Sequence, residues 1–138
     1  MNPNSKKLPI YVYVAGPLTC AGDPEAMFHG VHDAICAASD LMRAGLTPFL
    51  PHTSVLHAIV TPDLHYEDWL AYDFNWLAKC DAVLRLPGES NGADREVIEA
   101  GRLGILVFYV EGAAGHNKGS LYQWAEEERA ARQAVGCL

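Results

Sequence analysis

The chain has 138 residues, half of them apolar, and a formal net charge of −7. That length fits one domain able to bury a core without disulfide staples, and the apolar half excludes a disordered chain. The acidic balance excludes a nucleic-acid footprint, which needs clustered Lys and Arg, but leaves room for a single small nucleotide held by backbone amides.

Residues 1–8 read as a flexible tail, with no apolar run of the kind a signal peptide carries. No segment approaches the length of a membrane span. The four cysteines, Cys20, Cys36, Cys80 and Cys137, form no CxxC pair, so neither a zinc knuckle nor a redox motif is expected. A reduced, cytoplasmic protein that contacts no membrane is the expectation.

Residues 9–15, Pro-Ile-Tyr-Val-Tyr-Val-Ala, form a buried-strand pattern closed by Gly16-Pro17. Asp23-Pro24-Glu25 reads as an N-cap, a first-turn proline and an acidic first turn. Phe28, Val31, Ile35, Ala38 and Leu41 then recur at steps of three and four, predicting one apolar helix stripe that ends at Gly45. Cys36 and Cys80 fall in apolar helical patterns, where free Cys is a small buried hydrophobe.

Residues 46–50 form a second strand cut by Pro51. Residues 51–65 read as a long polar connection holding His52, His57 and His65, of a length that marks functional or mobile loops. An aromatic-rich helix follows over 66–79, then a strand over 81–86 and a turn-forming loop over 87–92. A helix over 93–103 ends at Gly104. The strand at 105–110 is continuously apolar and is expected in the middle of the sheet. A Gly-rich loop over 111–119 and a charged helix over 120–135 complete the order.

Strands alternate with helices throughout, which implies a parallel sheet. The expected fold is therefore α/β: a single domain over residues 1–138, doubly wound, with a mostly parallel sheet of four to five strands of flavodoxin or Rossmann type. Ligands in such sheets sit beyond the C-terminal strand ends. That rule selects residues 16–22, 51–65, 87–96 and 111–119.

Glu96 lies in one of these places, after a loop of small residues with free backbone amides. It reads either as a reacting carboxylate or as a first-turn acid favoured by the helix dipole. Asp73 sits mid-helix among Trp69, Tyr72, Phe74 and Trp76, where Asp is a poor helix former. Apolar neighbours would raise its pKa, which suits a general acid; a solvent-facing Asp is the alternative. Tyr13 stands nearer the strand's C-terminal end than Tyr11 and is the better site candidate, against a plain core tyrosine. Asp81 reads as a polar residue at the start of a strand. His52, directly after the second strand, is placed to touch a ligand.

The three loop histidines match no zinc spacing, so no metal is expected. The G-x-G-x-x-G and P-loop patterns are absent, so neither a dinucleotide nor a nucleoside triphosphate is invoked, and no cofactor is expected. A G-x-S-x-G elbow is absent as well.

Three segments together, Tyr13-Val14-Ala15-Gly16, Asp73-Phe74-Asn75-Trp76-Leu77-Ala78-Lys79-Cys80-Asp81 and Ser90-Asn91-Gly92-Ala93-Asp94-Arg95-Glu96, resemble the nucleoside 2-deoxyribosyltransferase superfamily, which includes nucleoside 5′-monophosphate N-glycosidases. The resemblance covers about residues 10 to 110. It implies cleavage of the N-glycosidic bond of a nucleoside or its 5′-monophosphate, by hydrolysis or by transfer to another base. Glu96 would attack the anomeric carbon, Asp73 would protonate the departing base, and Tyr13 would hold the nucleophile. Gly16, Pro17, His52, Ser90, Asn91 and Gly92 would bind substrate. Ser90, where the transferases tend to carry an acid, leans toward a phosphorylated substrate. The first rim loop lacks the arginine that some hydrolases place there, and Arg95 maps onto no family feature. The resemblance also implies a homo-oligomer, with Asn117, Ser120 and the last helix as candidate contributors to a neighbour's site. A nucleotide-binding sensor of the same fold without turnover is the alternative function.

Overall fold

The computed structural model describes residues 8–18, 23–110 and 118–136. Strand β1 (Tyr11–Ala15) is buried from Val12 onward, as β-branched and aromatic residues on a strand covered on both faces should be. Asp23 then caps helix α1 (Pro24–Arg43). Its Oδ1 accepts from the amides of Glu25 at 3.0 Å and Ala26 at 3.4 Å. Pro24 occupies the first turn, where its missing N–H would have had no helical partner.

Strand β2 (Thr47–Phe49) follows, then a short 3-10 helix (Pro51–Ser54) and helix α2 (Val55–Val60). Helix α3 (Tyr66–Leu77), strand β3 (Ala82–Arg85), helix α4 (Asn91–Leu103), strand β4 (Leu106–Tyr109) and helix α5 (Gly119–Gly136) complete the order.

The four strands run in the order β2-β1-β3-β4, and every pair is parallel, with Tyr13 opposite both Phe49 and Val83. The order reverses at β1, whose two neighbours, β2 and β3, both follow it in the chain and lie on opposite sides of it. Such a switch point opens a crevice at the C-terminal strand ends.

Alternation along β1 divides the core between two helical layers. Val12 and Val14 pack with Ala34 and Leu41 of α1 and with Leu121 and Ala125 of α5. Tyr13 and Ala15 face the other way, onto Leu77 of α3 and Ala93 and Ala100 of α4. The architecture is the expected doubly wound α/β sandwich.

Asp81 has a structural task. Its Oδ2 accepts from the Tyr11 amide at 2.8 Å and its Oδ1 from Arg132 at 2.8 Å, joining the start of β1 to α5. Arg129, on the same helix, donates to the carbonyls of Leu8 and Gly45. Leu8 is thus tied to the body; the rest of the expected tail, residues 1–7, lies outside the described residues.

Four expectations are corrected. Helix α1 buries Ala34, Ala37, Ala38 and Leu41, whereas Phe28 is 66% exposed and Ile35 44%. Small side chains let the helix lie close to the sheet, and the bulkier residues fall on the outer side. Of the expected polar connection over 51–65, residues 51–60 form a 3-10 helix and α2, and only 61–65 remain as a turn. Strand β4 is at the sheet edge and not in its middle. Its two middle residues are partly covered, Phe108 packing on Trp124 of α5 at 5.6 Å and Val107 on the α4 side, while Leu106 and Tyr109 are exposed. Cys36 is exposed beside His32, and Cys80 is half-buried; Cys20 and Cys137 lie outside the described residues.

Candidate active site

The C-terminal ends of three strands contribute to one cavity of about 560 Å³, within the range of small-molecule sites. Gly16 follows β1, Pro51 and His52 follow β2, and Ser90 precedes α4. Helix α1 adds Met27, α2 adds Val55, Ala58 and Ile59, α3 adds Tyr66, Trp69, Leu70 and Asp73, and α4 adds Gly92, Ala93 and Glu96.

The start of α4 is fixed from two sides. Ser90 is the N-cap, its Oγ accepting from the Ala93 amide at 3.1 Å. Beneath it, the buried Arg85 donates to the carbonyls of Leu86 and Gly88 and to Asp94 Oδ1 at 3.1 Å. Asp94 is therefore the acid of the first turn. Glu96 lies in the second turn, three residues after Ala93 and four before Ala100, on the face turned to the sheet. It is only 7% exposed and lies beyond the first turn, so Asp94 and not Glu96 is the acid at the positive end of the helix.

Glu96 Oε2 is buried and has no hydrogen-bond partner among the described residues. Burial is the main cause that pushes its carboxyl up to about 7; the Tyr13 hydroxyl and Arg85 oppose the rise, and the charge of Asp73 adds to it. Helix α3 places Trp69, Leu70, Asp73 and Leu77 along one side by steps of three and four. Asp73 is half-buried, its Oδ1 has no partner, and burial raises its carboxyl to about 7. The solvent-facing alternative for Asp73 is thereby corrected.

Tyr13 is fully buried. Its ring stacks on Phe49 at 5.6 Å, and Phe49 stacks on Trp76 at 5.3 Å. Burial first, then the charges of Glu96 and Asp73, raise its hydroxyl far above the usual range, so it stays protonated. The hydroxyl lies against Glu96 and favours its ionised form, although no partner meets it in full hydrogen-bonding geometry.

His52 is buried. Its Nε2 faces two carbonyl oxygens, Gly16 at 3.2 Å and Pro17 at 3.3 Å, so Nε2 carries the proton and donates. Burial lowers the pKa of the ring, leaving Nδ1 an acceptor with no partner among the described residues. Pro17 is held on two further sides. A Cβ on Gly30 would stand 2.6 Å from the Pro17 carbonyl oxygen, and one on Gly88, whose φ is +113°, would stand 2.8 Å from the proline ring.

The structure thus brings Gly16, His52, Asp73, Ser90, Gly92 and Glu96 to one cavity, with Tyr13 in contact with Glu96. Pro17 and Asn91 do not line it: Pro17 is held in the packed rim, and Asn91 is the exposed first residue of α4. Sequence reasoning missed Met27, and it selected residues 51–65 as a ligand-facing connection without finding helix α2 in it. No periodic signal marks six residues whose apolar side chains are all at least partly exposed. Of the expected neighbour-site contributors, Ser120 is exposed and Asn117 lies outside the described residues.

Among the described residues, no three His, Cys, Asp or Glu side chains cluster as a metal site, and no helix is long and apolar enough to cross a membrane. Cys80, its thiol pushed up to about 12 by burial, is a poor nucleophile at neutral pH. Two carboxyl groups with pKa values near neutrality face the same cavity. One can hold a proton while the other is charged, the arrangement used by enzymes that need an acid and a nucleophile together.

Comparison with curated proteins finds no match. Among solved structures, the chain is similar to one described as a 2-desoxiribosyltransferase from Leishmania mexicana, with a TM-score of 0.52 and 18% sequence identity. The match covers 75% of this chain and 66% of that one, so this chain spans just under two thirds of that protein's length. At that identity the likeness shows the fold. The family model described as a domain of unknown function, DUF4406, matches residues 10–109, most of the chain, and the protein belongs to that family.

Proposed function

We propose that this protein cleaves the N-glycosidic bond of a nucleoside or nucleoside 5′-monophosphate, by hydrolysis or by transfer to another base, with Glu96 as the nucleophile. The observation that carries the reading is the unpartnered, buried Oε2 of Glu96 on a cavity it shares with an equally unpartnered Asp73 Oδ1. Similarity to the Leishmania mexicana protein supports the reaction class.

In this reading the Glu96 carboxylate attacks the anomeric carbon as the bond to the base breaks. Protonated Asp73 gives its proton to the leaving base. A glycosyl ester on Glu96 results, and water or a second base resolves it. Tyr13 is too high in pKa to act as an acid and serves instead to orient the carboxylate. Gly16, His52, Ser90 and Gly92 contact substrate, and the apolar walls of α2 and Trp69 exclude water from the base. The exposed apolar side chains Leu56, Ile59 and Val60 on α2 support association of copies into a homo-oligomer, which light scattering at micromolar concentration tests.

The decisive experiment incubates the protein with a panel of nucleosides and 5′-monophosphates and follows free base by chromatography. Base release abolished by Glu96→Ala is expected. Release from no substrate, with ligand still bound in calorimetry, would establish the sensor reading instead.

A further inference from the structure

Arg95, in the second turn of α4, is a cation that the proposed reaction leaves unused. Its guanidinium forms a two-pronged ion pair with Glu67, at 3.0 and 3.4 Å, and lies 5.9 Å from the centre of the Tyr66 ring. Tyr66 lines the cavity. Its hydroxyl and that of Ser90 flank the open side of Gly92: a Cβ there would stand 3.5 Å from Tyr66 Oη and 4.0 Å from Ser90 Oγ. Arg95 does not line the cavity itself; it borders this corner beside Tyr66, whose ring it faces.

The chemistry of the corner is one-sided. The amides of Asn91 and Gly92 open the first turn of α4 and point out of its N-terminus. Ser90 accepts the Ala93 amide with its oxygen and keeps its hydroxyl proton to donate. Tyr66 adds a second hydroxyl. Asp94, the acid of this turn, is drawn down to Arg85. Donors at a helix N-terminus with a cation at the margin suit an anionic group. A second observation, independent of the helix end, marks the cavity as a ligand site. One turn further along the same helix, Glu96 is more than nine-tenths buried with Oε2 unpartnered.

The Arg95–Glu67 pair is the right partner to give up. Both side chains are substantially exposed, 45% and 71%, and an exposed ion pair contributes little to stability. A doubly charged phosphate offers a stronger, equally two-pronged acceptor. Glu67 is then released to water, where its charge is well solvated.

We propose that Arg95 determines specificity by exchanging Glu67 for an anionic phosphate on the substrate, with Tyr66 and Ser90 donating to the same group. The proposal rests on the reading of the cavity as a nucleoside or nucleotide site and adds the residue that tells the two apart. Arg95 touches the substituent and not the reacting carbon, so its effect falls on KM for phosphorylated substrates and spares kcat.

The test measures kcat and KM for paired substrates, four nucleosides and their 5′-monophosphates, with wild type, Arg95→Ala and Glu67→Gln. In Arg95→Ala the preference for the monophosphate in kcat/KM is expected to fall about tenfold or more, carried by KM. Glu67→Gln removes the competing acid, so the preference rises. An unchanged preference in Arg95→Ala, with base still released, overturns the assignment and leaves the proposed reaction standing. If wild type releases no base, the reaction fails, and calorimetric titration of the same pairs decides the assignment alone. A monophosphate that binds wild type more tightly than Arg95→Ala supports it; equal binding, or none, overturns it. Circular dichroism of both variants excludes misfolding, and Arg95→Lys, which keeps the charge without the fork, is expected to restore part of the preference.

Discussion

Glu96 on α4 and Asp73 on α3 face one cavity, and each keeps a buried oxygen that no described residue satisfies. The charge of Asp73 raises the carboxyl of Glu96 further. The two groups therefore titrate as a pair whose pKa values belong to both.

Stability should carry the mark of that pair. The carboxyls start from ordinary values of 3.8 and 4.5 and reach about 7 in the folded protein. Between those limits the folded state binds more protons than the unfolded one, so stability is highest below about pH 4 on this account and falls as pH rises through about 7. Glu96→Gln removes the buried charge and is expected to stabilise the protein by about 1–3 kcal/mol at pH 8, with little effect at pH 4. Urea unfolding at the two values checks it; equal effects at both would refute the assignment.

Activity should follow a bell-shaped pH profile in kcat/KM. In the proposed reaction the productive form has Asp73 protonated and Glu96 ionised, which requires one proton on the pair. The acid limb reports protonation of Glu96 and the alkaline limb loss of the Asp73 proton. Asp73→Asn should lower the rate and flatten the alkaline limb. A variant that keeps both limbs would remove Asp73 from the role.

Ser90 has two tasks that substitution can separate. Ser90→Ala loses the cap of α4 and should cost about 1 kcal/mol in thermal or denaturant unfolding. Ser90→Asp keeps a capping oxygen and the stability, yet sets a negative charge at the cavity. Monophosphate turnover should fall in Ser90→Asp more than nucleoside turnover does. Equal losses for both substrates would contradict the placement of the phosphate.

Leu41 and Phe28 test which side of α1 is the core. Leu41→Ala empties a fully buried site and should cost about 2–5 kcal/mol. Phe28→Ser acts on a side chain that is 66% exposed and should stay within about 0.5 kcal/mol. A large loss at Phe28 would mean that another surface covers it.

Much of this was legible in the residues, and the failures have definite causes. The Asp23-Pro24 start of α1 was plain because capping chemistry is local. The parallel sheet followed from alternation alone. The convergence of Gly16, His52, Ser90 and Glu96 followed from the rule that loops at one end of a parallel sheet meet. The outer position of Phe28 was hidden because alanines, which look neutral in a pattern, make the close contact. The edge position of β4 was hidden because its exposed residues, Leu106 and Tyr109, are as apolar as the covered Val107 and Phe108 between them. Helix α2 left no mark, since it owes its place to the cavity it borders and not to a buried face of its own. The Arg95–Glu67 pair joins positions 28 apart, a separation that no local pattern encodes.

The rim at Pro17, just outside the cavity lining, contrasts with the α2 side of the cavity. At that rim the His52 ring donates to the Gly16 and Pro17 carbonyls, and two glycines have no room for a methyl, so the segment is closely packed. On the far side, Val55, Ala58 and Ile59 belong to a helix with no fully buried residue, so larger or smaller side chains there disturb no core. Under the proposed reaction, relatives that diverge in the base they accept are expected to differ along α2, with the packed rim at Pro17 kept unchanged.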